Sequence, residues 1–91
     1  MNQSANSPSE WICRVKLFAR ARDLGGAAEI EFLLPEGATV ADLRRRLAEK
    51  CPALTGLLER SALAVQNEFA AEGLLVPIGA EVALLPPVSG G

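Results

Sequence analysis

A two-layer α+β domain is the fold this sequence predicts, on three observations. Two stretches in the first third of the chain, residues 11–19 and 28–34, alternate apolar and polar side chains with the period of a strand. A single longer stretch, residues 40–50, repeats its apolar residues with the period of a helix. A second apolar run, residues 81–85, closes the chain before Pro86 and Pro87, which cannot donate to a sheet. One long helix covers one face of a sheet, so the architecture has two layers.

Each element follows from its residues. In 11–19, Cys13, Val15, Leu17 and Ala19 share one face, and Arg14, Lys16 and Phe18 share the other. In 28–34, Ile30, Phe32 and Leu34 point inward, and Glu29, Glu31 and Leu33 outward. The segment between them, residues 20–27, is expected as a loop punctuated by Gly25-Gly26. The resulting hairpin sets Arg14 and Lys16 against Glu29 and Glu31. Pro35-Glu36-Gly37 is a turn. Thr39 reads as a helix N-cap with Asp42 three residues on, close to a capping box. Val40, Leu43, Leu47 and Cys51 then fall on one helical face. The other carries Asp42, Arg45, Arg46 and Glu49, spaced for the pairs Asp42–Arg46 and Arg45–Glu49. Pro52 stops the helix.

The remainder is less periodic. Residues 53–60 are expected as a short second helical turn, and 63–66 as a short strand. Residues 67–73 read as polar and turn-like, and 74–76 as an edge strand limited by Pro77. A hairpin, a crossover helix and a returning final strand match the β-grasp (ubiquitin-like) topology: a mixed sheet, one main helix on one face, and an extended C-terminal arm leaving a central strand. The domain plan is a polar disordered leader at 1–10, a β-grasp body at 11–85 and a tail at 86–91.

Composition narrows function. The chain has 91 residues, enough for one small domain, and 49% are hydrophobic, which makes it globular rather than disordered. Its formal net charge is -2, so nucleic acid is not an expected partner. Residues 51–91 hold one Lys/Arg against four Asp/Glu, so the half bearing the arm suits a basic partner surface. No apolar run reaches the roughly 20 residues of a membrane span, and residues 1–10 lack the basic and apolar regions of a signal peptide. Two cysteines are too few for a disulfide scaffold, and a cytoplasmic protein with reduced thiols is expected.

There is no His and no Tyr. The commonest general base and metal ligand are therefore missing, and Ser61 and Ser89 have no imidazole to activate them. Cys13 and Cys51 lie on inward faces and read as core fillers, with no histidine to complete a zinc site. Gly25-Gly26 matches neither phosphate-binding glycine pattern. Arg44-Arg45-Arg46, the only basic run, is expected as a solvated helix face. Phe18 and Leu33 are outward apolar residues, read either as ordinary exposed hydrophobes or as the start of a docking patch.

The arm itself is the remaining functional candidate. Pro86-Pro87-Val88-Ser89-Gly90-Gly91 has no ionisable side chain, a stiff base and a glycine pair that fits a narrow slot. It reaches roughly 20 Å when extended. A carboxylate there is a poor electrophile until a partner activates it as an acyl adenylate. The chain then acts as a carried substrate, with catalysis supplied by another protein.

Three stretches resemble the small, sulfur-carrier subunit of molybdopterin synthase. They are Val15-Lys16-Leu17-Phe18-Ala19-Arg20-Ala21-Arg22-Asp23-Leu24-Gly25-Gly26, then Leu34-Pro35-Glu36-Gly37-Ala38-Thr39-Val40-Ala41-Asp42-Leu43, then residues 79–91, where Pro86-Pro87-Val88-Ser89-Gly90-Gly91 is the specific part. The sequence departs from the family pattern at Val65-Gln66-Asn67-Glu68 and at Pro77. The resemblance implies that an ATP-dependent activating enzyme adenylates Gly91 and a sulfur donor converts it to a thiocarboxylate. The arm then enters the large synthase subunit and delivers sulfur to precursor Z, in a heterotetramer. It implies that Gly91 bears the sulfur, Gly90 gives clearance, Pro86 and Pro87 direct the arm, Val88 and Ser89 bind the partner with them, and Phe18 with the outer sheet face docks the partner. No bound cofactor is implied; ATP belongs to the activating enzyme, and the catalytic residues to the large subunit. A carrier for thiamine synthesis or tRNA thiolation, a ubiquitin-like modifier of lysines, and a plain interaction module stay open as alternatives.

Overall fold

The computed structural model describes residues 9–87. Five strands form one mixed sheet: β1 (Glu10–Leu17), β2 (Glu29–Pro35), β3 (Ala62–Val65), β4 (Glu68–Phe69) and β5 (Val82–Leu85), in the spatial order β2-β1-β5-β3-β4. Three helices, α1 (Ala19–Gly25), α2 (Val40–Lys50) and α3 (Thr55–Leu58), with a 3₁₀ turn at Pro52–Leu54, complete the body. Strand β1 runs antiparallel to β2 and parallel to β5, while β3 is antiparallel to both β5 and β4. The β-grasp arrangement expected from the sequence is the one observed, with β1 one place from the centre and β5 at it. The expected leader at residues 1–10 lies almost wholly outside the described residues, and β1 already begins at Glu10.

The core lies between the sheet and α2. Alternation puts Cys13, Val15 and Leu17 of β1, Phe32 and Leu34 of β2, Leu63 and Val65 of β3, and Val82 and Leu84 of β5 on one face. They meet Val40, Leu43 and Leu47 of α2 and Leu54, Leu57 and Leu58 of the following turns. On the opposite face Arg14 stands across from Glu31 and Lys16 from Glu29, as expected, and Arg14 Nε lies 2.6 Å from Glu31 Oε2.

Helix α2 has the boundaries its periodicity predicts, and its start is a complete capping box. The Asp42 N–H donates to Thr39 Oγ1 at 3.2 Å, and the Thr39 N–H donates to Asp42 Oδ2 at 2.9 Å. Two further donors of the first turn are met from the loop after β4: Val40 N–H by Leu74 O at 2.9 Å and Ala41 N–H by Glu72 O at 3.0 Å. This accounts for the segment expected as an edge strand at 74–76. Only a single bridge, Thr39 to Leu75, forms there, because these residues turn their carbonyls to the helix start.

Several local expectations are corrected. Residues 20–27 are not simply a loop, because residues 19–25 form the short helix α1. An isolated helix this short is marginal in water; here the fully buried Ala21 anchors it and Gly26 closes it in the left-handed conformation, φ 73°. Gly25 is needed for a different reason, since a Cβ there would lie 2.6 Å from Leu17 Cδ1. Residues 67–73 are not only a turn. Gln66 and Asn67, at φ 52° and 70°, form a two-residue hairpin turn that pairs β4 back onto β3.

In the basic run Arg45 and Arg46 keep the solvated face expected of them, while Arg44 is drawn into the body. Arg44 donates to both carboxylate oxygens of Glu72, at 3.1 and 2.6 Å, and to the backbone carbonyls of Leu58 and Ser61. It ties α2 to the turn before β3 and to the loop over the helix start. Arg46 donates to Leu33 O at 2.9 Å and so covers a carbonyl on the open edge of β2. The helix pairs have i,i+3 spacing, Asp42–Arg45 and Arg46–Glu49, rather than the expected i,i+4. The capping box holds one oxygen of Asp42 at the helix start, and the β2 edge draws Arg46 away from it.

The Thr39 N–H and hydroxyl, aided by Arg45, hold the Asp42 carboxyl below its ordinary pKa. A lowered folded-state pKa contributes stability above the unfolded value of about 4, and that stability is lost as pH falls through the folded-state value. Replacing Asp42→Asn is therefore expected to reduce the acid dependence of stability below about pH 4. Urea midpoints from pH 2 to 7 for both proteins check this.

Candidate docking face and the root of the arm

Strand β5 carries the arm, and its pairing determines what surrounds it. The parallel register sets Val15 beside Val82, Lys16 beside Ala83 and Leu17 beside Leu84. The C-terminal ends of β1 and β5 therefore lie at the same end of the sheet. Phe18, the residue after β1, and Pro86, the residue after β5, both emerge there. On the other side β3 starts at this end, with Ala62 opposite Leu85.

Phe18 is 46% exposed and is the N-cap residue of α1, in an extended conformation. Its carbonyl accepts the Ala21 N–H at 3.0 Å. Ala19 sits at φ 50°, a left-handed conformation that costs an alanine about 1–2 kcal/mol. This bend takes the chain out of the strand and into α1, leaving Phe18 at the corner.

The outer face next to Phe18 is a shallow trough. The registers align Lys16, Ala83, Ala64 and Phe69 in one row across four strands. Small alanines make its floor, and Phe18 and Leu85 lie toward the arm. A depression of about 310 Å³ is lined by Lys16, Phe18, Ala64, Asn67, Glu81, Val82, Ala83 and Leu85. Phe69 stands on the far strand of the row and is 79% exposed, the most exposed large apolar side chain among the described residues.

Of the residues singled out in the sequence, Phe18, Pro86 and Pro87 come together at this end. Val88, Ser89, Gly90 and Gly91 lie outside the described residues. Leu33 does not join them: it pairs with Ile12 at the other end of β1, beyond the Arg14–Glu31 and Lys16–Glu29 rows. Phe69 was missed, because residues 67–73 read as polar. The signal was the Gln66-Asn67 pair, flanked by Val65 and Glu68, which suits a tight hairpin turn.

No self-contained chemistry gathers at the site. Among the described residues no cluster of three metal-ligating side chains forms. Ser61 is buried and donates its hydroxyl to Leu57 O at 2.7 Å, a structural bond. Cys13 is fully buried, and burial pushes its thiol up to about 11, which keeps it protonated at neutral pH. Cys51 is partly exposed at the C-cap of α2. Among the described residues no helix is long and apolar enough to cross a membrane.

Comparison with known proteins gives a consistent picture. The family model described as the ThiS family matches residues 15–91. The chain belongs to the ThiS family. Within that family its sequence is similar to proteins named molybdopterin synthase sulfur carrier subunit. The relative from Arabidopsis thaliana is 35% identical, with 86% of this chain and 81% of the relative covered. The one from Dictyostelium discoideum is also 35% identical, over 86% and 94%. Among solved structures, the Haloferax volcanii small archaeal modifier protein 1 matches with a TM-score of 0.77 at 29% identity, covering 86% of this chain and 99% of that one. A chain in the complex of subunits 1 and 2 of molybdopterin-converting factor from Helicobacter pylori matches with a TM-score of 0.61 at 25% identity, covering 88% and 99%.

The cysteines differ enough in burial to be told apart chemically. Under native conditions at neutral pH, a thiol reagent is expected to label Cys51 first, and Cys13 only after denaturation. Mass mapping of labelled peptides checks the order.

Proposed function

We propose that this chain is the sulfur carrier of a molybdopterin synthase, with Gly91 as the group that carries the sulfur. The observation that carries this reading is the placement of the arm. A tail ending in Gly90-Gly91 follows the central strand β5, whose end adjoins a trough that combines Phe18, Ala64, Ala83 and Leu85 with Lys16, Asn67 and Glu81, in a chain whose family match runs through residue 91.

The chemistry follows from what the carboxylate lacks. Attack of the Gly91 carboxylate on ATP forms an acyl adenylate and releases pyrophosphate. Sulfur from a donor displaces AMP and leaves a thiocarboxylate. That sulfur displaces an oxygen leaving group from a carbon of precursor Z in the large subunit, which forms a thioester, and hydrolysis of the thioester returns the Gly91 carboxylate and leaves the sulfur on the pterin. The carrier contributes no acid, base or metal; it presents one atom on an arm narrow enough to enter a channel. The large subunit is the proposed docking partner, in keeping with the Helicobacter pylori complex, and the activating enzyme and sulfur donor are further proposed partners.

Phe18, Leu85 and Phe69 are proposed to contact the large subunit while the arm is inserted. Half-exposed or exposed aromatic residues beside a small-residue floor are suitable anchors, and such anchors dominate interface energies. A second reading, a ubiquitin-like modifier, is favoured by the likeness to the archaeal modifier protein. It uses the same adenylate but delivers Gly91 to an amine.

The deciding experiment is intact mass after incubation with an activating enzyme, ATP and a sulfur source. The expected result is a gain equal to one oxygen replaced by sulfur, mapped to the C-terminal peptide and absent when Gly91 is deleted. No gain, with Gly-Gly remnants on lysines of other proteins, supports the modifier instead. For the docking face, Phe69→Ala is expected to weaken binding to the large subunit by about 1–3 kcal/mol, measured by calorimetry, with the fold unchanged.

A further inference from the structure

The chain has seven arginines. Four of them, Arg14, Arg44, Arg45 and Arg46, are paired with carboxylates. Among the described residues, the side chains of the other three, Arg20, Arg22 and Arg60, make no ion pair or hydrogen bond. All three are exposed. The sheet topology places all three at one end of the molecule. Arg20 and Arg22 lie on α1, which begins two residues beyond the last residue of β1, with Phe18 between. Arg60 lies two residues before β3, whose first residue, Ala62, pairs with Leu85. This is the end from which the arm leaves.

We infer that Arg20, Arg22 and Arg60 form a basic collar around the root of the arm, and that it recognises carboxylates on the rim of the channel that receives the arm. The inference deepens the functional reading above and rests on it. Asp23 and Glu59 share this end, and Glu29 stands opposite Lys16 where β2 begins, so four cations meet three carboxylates in a chain whose net charge is -2. The collar thus opposes the charge of the rest of the molecule. The acidic C-terminal half of the sequence, which itself supplies Arg60, is joined at this end by Arg20 and Arg22 from the other half.

A channel as deep as the arm is long brings its mouth to the collar. Six residues span roughly 20 Å, so full insertion of Gly91 brings the channel mouth against the root of the arm. Charges there then approach within the Debye length of about 8 Å at physiological ionic strength. A guanidinium offers a planar fork of donors matched to carboxylate oxygens. Charges at the rim of an interface act mainly on the rate of encounter and on its salt dependence. The collar therefore steers the arm toward the channel, while the apolar trough holds the docked complex.

The test is stopped-flow association of the full chain with the large subunit of molybdopterin synthase from the same source, at low and high salt. Arg20→Glu, Arg22→Glu, Arg60→Glu and the triple variant are compared with Arg45→Glu. Arg45 lies beside Leu34 and Pro35 at the far end of the sheet, and its reversal changes net charge equally. Each collar reversal is expected to slow association several-fold at low salt, and the triple by about tenfold or more, with dissociation little changed and the difference lost at high salt. Slowing no greater than that of Arg45→Glu overturns the collar alone, as does slowing that persists at high salt. Failure of the unaltered chain to bind the large subunit overturns the functional reading and the collar with it.

Discussion

The parallel pairing of β1 with β5 is the constraint on which the rest of the structure depends. It joins the first and last strands of the body across more than sixty residues of chain, through Val15–Val82, Lys16–Ala83 and Leu17–Leu84. Its inward side chains are at most 2% exposed and lie at the centre of the core. Loop closure over such a separation costs entropy, which this buried apolar surface offsets. Every feature of the proposed function is referenced to that pairing. It brings Phe18 and Pro86 to one end, continues the alanine row into β3, and lets the arm start from a rigid central strand.

A carrier that lends one terminal group to other proteins needs a firm body and a narrow, chemically inert arm. The body meets the first need through polar ties as well as packing. The capping box and the loop carbonyls over α2 match the Val40, Ala41 and Asp42 N–H groups of the helix start, and the Arg44 clasp fastens the helix to Glu72, Leu58 and Ser61. The second need explains what is missing: no imidazole, no reactive thiolate at Cys13, and no gathered metal ligands among the described residues.

The outer face separates two kinds of contact. Its middle rows are charged, with Arg14 and Lys16 facing Glu31 and Glu29. The Lys16–Glu29 row continues across the sheet through Ala83, Ala64 and Phe69, so its part on β5, β3 and β4 is apolar and floored by alanine. At the end from which the arm leaves lie Arg20, Arg22 and Arg60, which make no side-chain ion pair among the described residues. The layout suits a partner that is drawn in by charge and retained by apolar contact. Association rate and residence time are then governed by different residues.

Local periodicity determined much of this protein from the sequence alone. The face of β1 that carries Cys13, Val15 and Leu17, the boundaries and capping of α2, and the stop at Pro86-Pro87 all depend on residues near one another in the chain. The arm was legible for the same reason, since its meaning lies in six consecutive residues. Other features were decided only by the tertiary structure, because they depend on register between distant strands. Helix α1 exists because Ala21 finds a buried site. Phe69 joins the docking row because β4 pairs with β3, and Leu33 is excluded because it pairs with Ile12 at the other end. Arg44 becomes a clasp because Glu72, Leu58 and Ser61 fold around it. Arg20, Arg22 and Arg60 share one end because β1, β3 and β5 do. Sequence spacing cannot express these proximities; the sheet creates them when it buries its apolar face.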